Sequence, residues 1–275
     1  MIPTRQMNDG NEIPCLGVGT GTLDDQATAT IVEEALARGY RHIDTAVKYG
    51  NESGVGEGIR RAGVSPSELF VTTKLDANYQ GDEKAVDGLQ RSLERLGLER
   101  INLLLIHWPA PWLDQYVSTW RTFERIQQRG LAASIGVSNF KPAHLDRLAA
   151  ETGTTPVVNQ IELNPHVVHL EQRAYNTAHG IVTESWSPLG GNGSELLDSP
   201  ILARVAQRHD KTAGQVVLRW HIQLNLVVIP RTSSTARLSQ NLEIFDFELD
   251  DDDMALIGTL SAGPDAGLDS DVDGH

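Results

Sequence analysis

VGEGIRRAGVSPSELFVTTK, residues 55–74, contains one unit of a pattern that runs through the whole chain. Val55, Ile59 and Ala62 fall at i, i+4 and i+7, the spacing of one helix face, and the pattern stops at Gly63. Leu69 to Thr73 then reads as a strand. AVDGLQRSLERLGLERINLLLIHWP, residues 85–109, repeats the unit: Val86, Leu89, Leu93 and Leu96 form the stripe, Gly97 stops it, and Ile101 to Ile106 is an apolar run. Gly39, Gly130, Gly153 and Gly180 punctuate in the same way, and glycine suits the left-handed position just past a helix. Strands that are apolar throughout, rather than alternating, belong to a sheet covered on both faces.

Counting outward gives strands near 15–18, 41–44, 69–74, 101–107, 132–137, 157–162, 181–186 and 226–230. Helices are expected near 27–38, 51–62, 84–96, 115–129, 142–151, 170–179, 200–223 and 235–244, the seventh broken at Asp210. Eight strands alternating with eight helices predict an α/β fold, a closed (β/α)8 TIM barrel. The 275 residues slightly exceed the roughly 250 of such a barrel and read as one domain, 1–275, with no linker. Ahead of the barrel, Thr4 to Met7 and Glu12 to Pro14 flank the turn Asn8-Asp9-Gly10-Asn11, a short N-terminal β-hairpin expected to cap the barrel bottom. A doubly wound open sheet is the competitor, but its G-x-G-x-x-G fingerprint is missing. Gly54, Gly56 and Gly58 have the wrong spacing inside a helical pattern, and Gly17, Gly19 and Gly21 are followed by Thr22 where the fingerprint needs glycine.

A net charge of −14 argues against nucleic acid or an anionic membrane as partner. The acidity gathers late, in Asp246, Glu248, Asp250 to Asp253, Asp265, Asp269, Asp271 and Asp273. All of these read as a solvated, solubilising surface rather than a partner-binding tail, and residues 263–275 form an acidic C-terminal tail. With Cys15 as the sole cysteine, neither an intrachain disulfide nor a thiolate zinc cage can form. The polar start MIPTRQMNDG lacks a secretory core, and no apolar run approaches the ~20 residues of a membrane helix. These features predict a cytoplasmic protein.

Barrel chemistry sits at the carboxyl ends of strands and in the loops beyond them. Three consecutive strands here end on a titratable residue: Asp44, Lys74 and His107. Tyr49, five residues past Asp44, can fold over the same mouth. A tyrosine hydroxyl has an unperturbed pKa of about 10. A nearby lysine ammonium favours the phenolate and so makes the phenol a better proton donor. Asp44 can keep that lysine charged, and His107 can donate a hydrogen bond to a carbonyl oxygen. This is equipment for protonating an oxyanion as it forms, half of a carbonyl reduction. The hydride must come from a cofactor.

The residues around these four resemble the signatures of the aldo-keto reductase family. GYRHIDTA at 39–46 with Tyr49, Asn51 and Glu52 carries the likeness, as do Thr73-Lys74 and LIHWP at 105–109. IGVSNF (135–140), VNQIE (158–162), ESWSPL (184–189) and VIPRT (228–232), with Arg237 and Asn241, follow in order. The chain is most similar to prokaryotic members such as the 2,5-diketo-D-gluconate reductases. The resemblance implies NADPH-dependent reduction of small aldehydes, ketones or dicarbonyls to alcohols by a monomer that needs no metal. It makes Tyr49 the proton donor, tuned by Lys74 and Asp44, with His107 orienting the carbonyl. Ser138, Asn139 and Gln160 would hold the nicotinamide carboxamide, and Trp186 would stack on the ring, with Asp44 close by. Thr20 and Gly21 would lie near the nicotinamide ribose, and Ser187 and Leu189 along the pyrophosphate. Arg231, Thr232, Ser233 and Arg237, with Gln240 and Asn241 on the following helix, would take the adenosine end and its 2′-phosphate. His107, Trp108, Trp112 and Asp76 would border the substrate. Three positions depart from many relatives: Arg231-Thr232 replaces Lys-Ser, Gly21 replaces an aromatic, and Asp76 replaces tryptophan.

Other readings make different demands. A glycoside hydrolase needs two carboxylates across a cleft ~5 to 9.5 Å apart, and Glu162 and Glu184 are the available pair. A metal-dependent barrel needs clustered ligands, whereas His166 and His169 have no third ligand in view. A cofactor-sensing interaction protein, the role of some family members as channel subunits, would not require the full tetrad present here.

Overall fold

The computed structural model of the chain describes residues 2–191, 193–264 and 266–274. The chain opens with β1 (Thr4–Gln6) and β2 (Glu12–Pro14), an antiparallel hairpin with Arg5 opposite Ile13. Eight parallel strands follow in one sheet ordered as in the chain: β3 (Val18–Gly19), β4 (His42–Asp44), β5 (Phe70–Leu75), β6 (Ile101–Ile106), β7 (Ala132–Ser138), β8 (Val158–Glu162), β9 (Val182–Trp186) and β10 (Val227–Val228). Bridges from Leu16 to Val228 and from Gly19 to Arg231 join the two ends of the sheet, making the expected α/β barrel. Its first regular strand starts later than the expected 15–18, since the segment before Val18 pairs only through single bridges. There Gly17 packs against the His42 ring, which lies 2.8 Å from where a Cβ would stand.

Outside the sheet run α1 (Asp25–Ala37), α2 (Glu52–Ala62), α3 (Asp82–Leu96), α4 (Tyr116–Gln128), α5 (Pro142–Glu151), α6 (Leu170–Ala178), α7 (Pro200–His209), α8 (Ala213–Gln223), α9 (Thr235–Leu242) and α10 (Asp251–Gly258). The break between α7 and α8 falls at Asp210, which is left-handed at φ 52°, and Thr212 then caps α8. Gly39, Gly63, Gly97, Gly130 and Gly180 all have φ between 65° and 97°, the conformation their helix-stopping role requires. Gly153 differs: Thr152 leaves α5 extended, and the Gly153 N–H donates to Glu124 Oε1 at 2.9 Å.

Helix α10 corrects the reading of Asp250 to Asp253 as a merely solvated acidic run. Asp250 accepts from the Asp253 N–H at 2.7 Å as an N-cap, and Asp251, Asp252 and Asp253 occupy the positive end of the helix dipole. Asp253 is fully buried, ion-paired with Arg208 and with His209 Nε2.

The hairpin fills the bottom of the barrel. Met7 and Ile13 are buried against Phe70, Leu103, Leu105, Val158 and Val227, so this end of the interior is apolar and closed. Between the hairpin and the opposite rim the interior turns polar, and polar interiors must be internally satisfied. The strand ends around that rim carry the chemistry.

Gly54, Gly56 and Gly58 have a packing role rather than a phosphate-binding one. A Cβ on Gly58 would stand 2.6 Å from the Ala29 carbonyl oxygen of α1, and one on Gly56 would stand 2.6 Å from the Leu96 carbonyl oxygen of α3. Gly54 lies as closely against the Asp25 backbone. Alanine is the better helix former by ~1 kcal/mol, but overpacking against backbone costs about 1–3 kcal/mol. Gly58→Ala is therefore expected to destabilise the fold by about 1–2 kcal/mol, lowering the urea midpoint while leaving the m-value unchanged. A raised midpoint would show that α1 and α2 can separate at little cost.

Candidate active site

Tyr49 closes a single 3₁₀ turn, Val47–Tyr49, whose exit needs the left-handed Gly50 at φ 68°. Asn51 fastens this turn to the first loop. Its Nδ2 donates to the carbonyls of Thr20 (2.7 Å) and Leu23 (2.9 Å), while its Oδ1 accepts from Thr45 Oγ1. Beside it the buried Glu52 accepts from Thr73 Oγ1 at 2.5 Å and pairs with Arg95. Asn51 and Glu52 were quoted in the motif without a role. The signal in the sequence is their place at the start of a helix that follows a strand-end acid, Asn51 at the N-cap and Glu52 in the first turn.

Lys74, at the end of β5, is fully buried. Its Nζ donates to Asp44 Oδ1 at 2.5 Å, to the Thr45 carbonyl at 2.9 Å and to Tyr49 Oη at 3.5 Å. The His107 ring meets the Tyr49 ring edge-on, with centroids 5.8 Å apart. Burial pulls the Lys74 ammonium down, but the Asp44 and Tyr49 fields outweigh it and hold the group above its ordinary value. For Tyr49 the balance falls the other way from the sequence argument. Burial raises the phenol more than Lys74 lowers it, so the hydroxyl stays protonated at neutral pH. His107 is pushed well below the usual histidine range by burial, then by Lys74 and Lys48. It is therefore neutral and has one N–H to offer.

A cleft of about 450 Å³ opens over these groups. Of the residues singled out in the sequence, Gly21, Asp44, Tyr49, His107, Trp108, Asn139, Gln160, Trp186, Ser187, Leu189, Arg231 and Arg237 line it. Gly19, Thr22, Pro188, Gly191, Leu197, Ile229 and Pro230, which were not singled out, line it too. The Trp186 indole is fixed by its Nε1–H donating to Asn139 Oδ1 at 2.8 Å. Asn139, left-handed at φ 63°, in turn donates to the His107 carbonyl at 3.0 Å. Two strand ends and an aromatic wall are thus locked together. At Gly21 a Cβ would lie 3.6 Å from the Tyr49 ring, so the absence of a side chain there leaves the phenol uncovered.

Other expected residues do not reach the cleft lining. Thr20 and Ser138 turn their hydroxyls into the barrel, onto the carbonyls of Asp44 (3.1 Å) and Gln160 (2.8 Å). Thr232 is buried, its Oγ1 accepting from the Ser234 N–H, and so shapes the turn ahead of α9. Ser233 and Gln240 are exposed, and Asn241 is buried under α9. Asp76 was expected to place a carboxylate at the substrate mouth. It instead caps the 3₁₀ turn Ala77–Tyr79 by accepting from the Asn78 N–H at 2.8 Å. Trp112 stands half exposed on the turn Pro111–Leu113, outside the cleft lining. Glu162 and Glu184 do not face each other across a cleft: Glu184 is buried beneath Gln160, and Glu162 accepts from the Leu268 N–H at 3.2 Å. Among the described residues no group of three or more His, Cys, Asp or Glu could hold a metal ion.

The acidic tail lies against the barrel mouth while the Asp269 and Asp271 carboxylates stay about half exposed. Lys141 Nζ reaches Asp269 (2.5 Å) and Asp271 (2.6 Å), and His144 Nε2 lies 3.0 Å from Asp271. Gly274 packs on the Trp108 indole, and a second cavity of about 300 Å³ lies between the tail, Trp186 and Glu162. Asp265, counted in the acidic run, lies outside the described residues. Among the described residues no helix is long and apolar enough to cross a membrane.

A sequence model of the Aldo/keto reductase family matches residues 15–262. An aldo-keto reductase of Mycolicibacterium vanbaalenii is 48% identical over 262 residues, covering 95% of this chain and 93% of its own. The methylglyoxal reductase DkgA of Escherichia coli K12 is 43% identical over 267 residues, covering 97% and 96%. Among solved structures, a Gox0644 variant crystallised with NADPH superposes with a TM-score of 0.95 at 38% identity, over 100% of both chains.

Exposed ion pairs are weak one by one and are screened by salt, so the tail clasp is expected to loosen with ionic strength. Lys141→Ala removes two of its contacts and should speed amide hydrogen exchange at 266–274 several-fold, with little change in the strands. Equal tail protection in wild type and variant, at low and high salt, would show that packing on Trp108 holds the tail unaided.

Proposed function

The chain belongs to the aldo/keto reductase family, and on that footing we propose that it reduces small aldehydes, ketones or dicarbonyls to alcohols, with Tyr49 as the proton donor. It is an NADPH-dependent oxidoreductase. The observation that carries the proposal is the buried Lys74, clamped by Asp44 and set against Tyr49 with a neutral His107 facing the same cleft.

The cleft suits the cofactor by its chemistry. Gln160, Asn139, Trp186, Ser187, Leu189, Arg231 and Arg237 all belong to its lining, which brings amides, an aromatic face and two guanidinium groups to one cleft. Asn139 and Gln160 would hold the carboxamide, Trp186 the ring, and the two arginines the 2′-phosphate. Bound there, the reduced nicotinamide supplies the hydride.

The chain's own residues do the rest. The His107 N–H holds the substrate carbonyl oxygen beside the Tyr49 hydroxyl. As negative charge grows on that oxygen, the Tyr49 proton moves onto it. Lys74 stabilises the phenolate left behind, which is why its ammonium must remain charged in a dry site. Asp44 maintains that charge. Small dicarbonyls are the favoured class, because Gly21 leaves the phenol open while Trp108 and the docked tail keep the mouth narrow.

Tyr49→Phe removes only the transferable proton. General acid catalysis contributes ~10²- to 10⁴-fold, so kcat/KM for a small aldehyde should fall by at least ~100-fold while NADPH binding stays within about threefold. Turnover surviving within a factor of about three would remove Tyr49 from the role.

Cofactor choice follows from charge. NADPH differs from NADH by a phosphate, and the stretch from Arg231 to Arg237 contains no acid to repel it. Guanidinium suits bidentate phosphate contact, and the start of α9 favours an anion. NADPH is expected to bind at least roughly tenfold tighter than NADH, about 1.4 kcal/mol, and Arg231→Ala should erase most of that difference. Fluorescence titrations giving equal dissociation constants for the wild type would reject the assignment.

A further inference from the structure

Beneath the reacting groups lies a second carboxyl that the mechanism above does not use. Glu184, on β9, is fully buried and pairs in register with Gln160 on β8. Gln160 Nε2 donates to two acids at once, Asp44 Oδ2 at 2.8 Å and Glu184 Oε2 at 2.7 Å. Asp44 has the Lys74 ammonium at 2.5 Å, whereas among the described residues Glu184 has no cation in hydrogen-bonding reach. The titratable groups facing it are His42 and Asp44 from β4, Lys74 from β5 and Tyr49 from the loop beyond β4. On its other side, β10 pairs Val227 with Glu184.

The His42 ring decides the state of that carboxyl. His42 Nδ1 lies 3.3 Å from the Pro14 carbonyl oxygen, which can only accept, so Nδ1 carries the hydrogen. Burial draws His42 down to about 4, so the ring is neutral and Nε2 presents a lone pair, which the Thr72 hydroxyl also meets at 3.3 Å. Glu184 Oε1 faces that lone pair at 3.5 Å and makes no hydrogen bond among the described residues. A carboxylate oxygen set against a lone pair is repelled, whereas an acid O–H there can donate. Burial and the Asp44 charge act on Glu184 in the same direction, raising it well above the usual carboxylate range.

We propose that Glu184 is a positioning residue that carries the proton of this network: as a neutral acid it holds Gln160 against Asp44 and leaves the Lys74–Asp44 pair to set the charge beneath Tyr49. Ionising it would add a second negative charge in a dry interior, one amide away from Asp44. That charge would oppose proton release from Tyr49 and slow reduction on the alkaline side. The effect on rate rests on Tyr49 being the proton donor, whereas the protonation of Glu184 does not.

Glu184→Gln is the isostere of the neutral acid, able to accept from Gln160 and donate to His42. A carboxyl whose folded value is raised binds a proton in the native state that the unfolded chain has lost, so wild-type stability falls as pH rises through that window. The Tm of E184Q relative to wild type should therefore climb from about pH 5 to about pH 8. A difference constant with pH overturns the assigned proton. The ratio of kcat/KM for E184Q to that of wild type should rise at least about fivefold between about pH 6 and about pH 9. A flat ratio alongside a climbing Tm difference overturns the action on Tyr49. Activity retained in Tyr49→Phe beside a climbing Tm difference overturns the rate half alone, by removing its acid. If E184Q does not fold, infrared spectra of the wild type decide: a protonated-carboxyl band that fades with rising pH supports the assignment, and its absence at neutral pH overturns it.

Discussion

An ammonium group with no exposure to water is the constraint on which the rest of this protein depends. Lys74 cannot stay charged in a barrel interior without a carboxylate, and Asp44 supplies one at 2.5 Å. Removing one partner of such a pair typically costs about 3–5 kcal/mol, because the other charge is left buried and uncompensated. The pair therefore fixes the relative heights of β4 and β5. It also fixes what lies above it, because the Thr45 carbonyl takes a second Lys74 hydrogen and Thr45 Oγ1 meets Asn51. The turn carrying Tyr49 hangs between those two anchors.

The same constraint accounts for the layering of the barrel interior. The hairpin seals one end with Met7 and Ile13, so water has no path to the charges from below. Above that plug come His42, Glu184, Gln160, Asp44 and Lys74, each taking up part of its neighbour's hydrogen-bonding demand. In such a low-dielectric network the electrostatics of each group are strong. A fixed ammonium can then act on a phenol that burial alone would make a poor acid.

How much of this was legible in the sequence depended on whether a signal was local. Gly63 and Gly97 announced their helix ends because the left-handed φ that stops a helix favours glycine. Asp44, Lys74 and His107 were legible because a titratable residue closing an apolar run has few places to go in a barrel. Asp76 misled because an acid near a mouth and an acid capping a turn look alike until the Asn78 N–H is located. Helix α10 was missed because three aspartates in a first turn read as plain acidity unless Asp250 is recognised as their cap. The direction of the Tyr49 shift was beyond sequence altogether, since it is a competition between burial and Lys74 whose winner depends on depth.

The site divides into a part held by strands and a part carried on loops. Asp44 ends β4, Lys74 is the penultimate residue of β5 and His107 lies one residue beyond β6, each held by main-chain pairing to a neighbouring strand. Gly21, Trp108, Leu189 and the tail sit on loops, and the tail is held by surface ion pairs that contribute little individually. A substitution at Gly21 alters what can approach the phenol without touching any partner of Lys74. Loops placed by a rigid scaffold are where specificity can change at low cost. A change at the rim can therefore alter which carbonyl approaches while leaving the buried network of this chain intact.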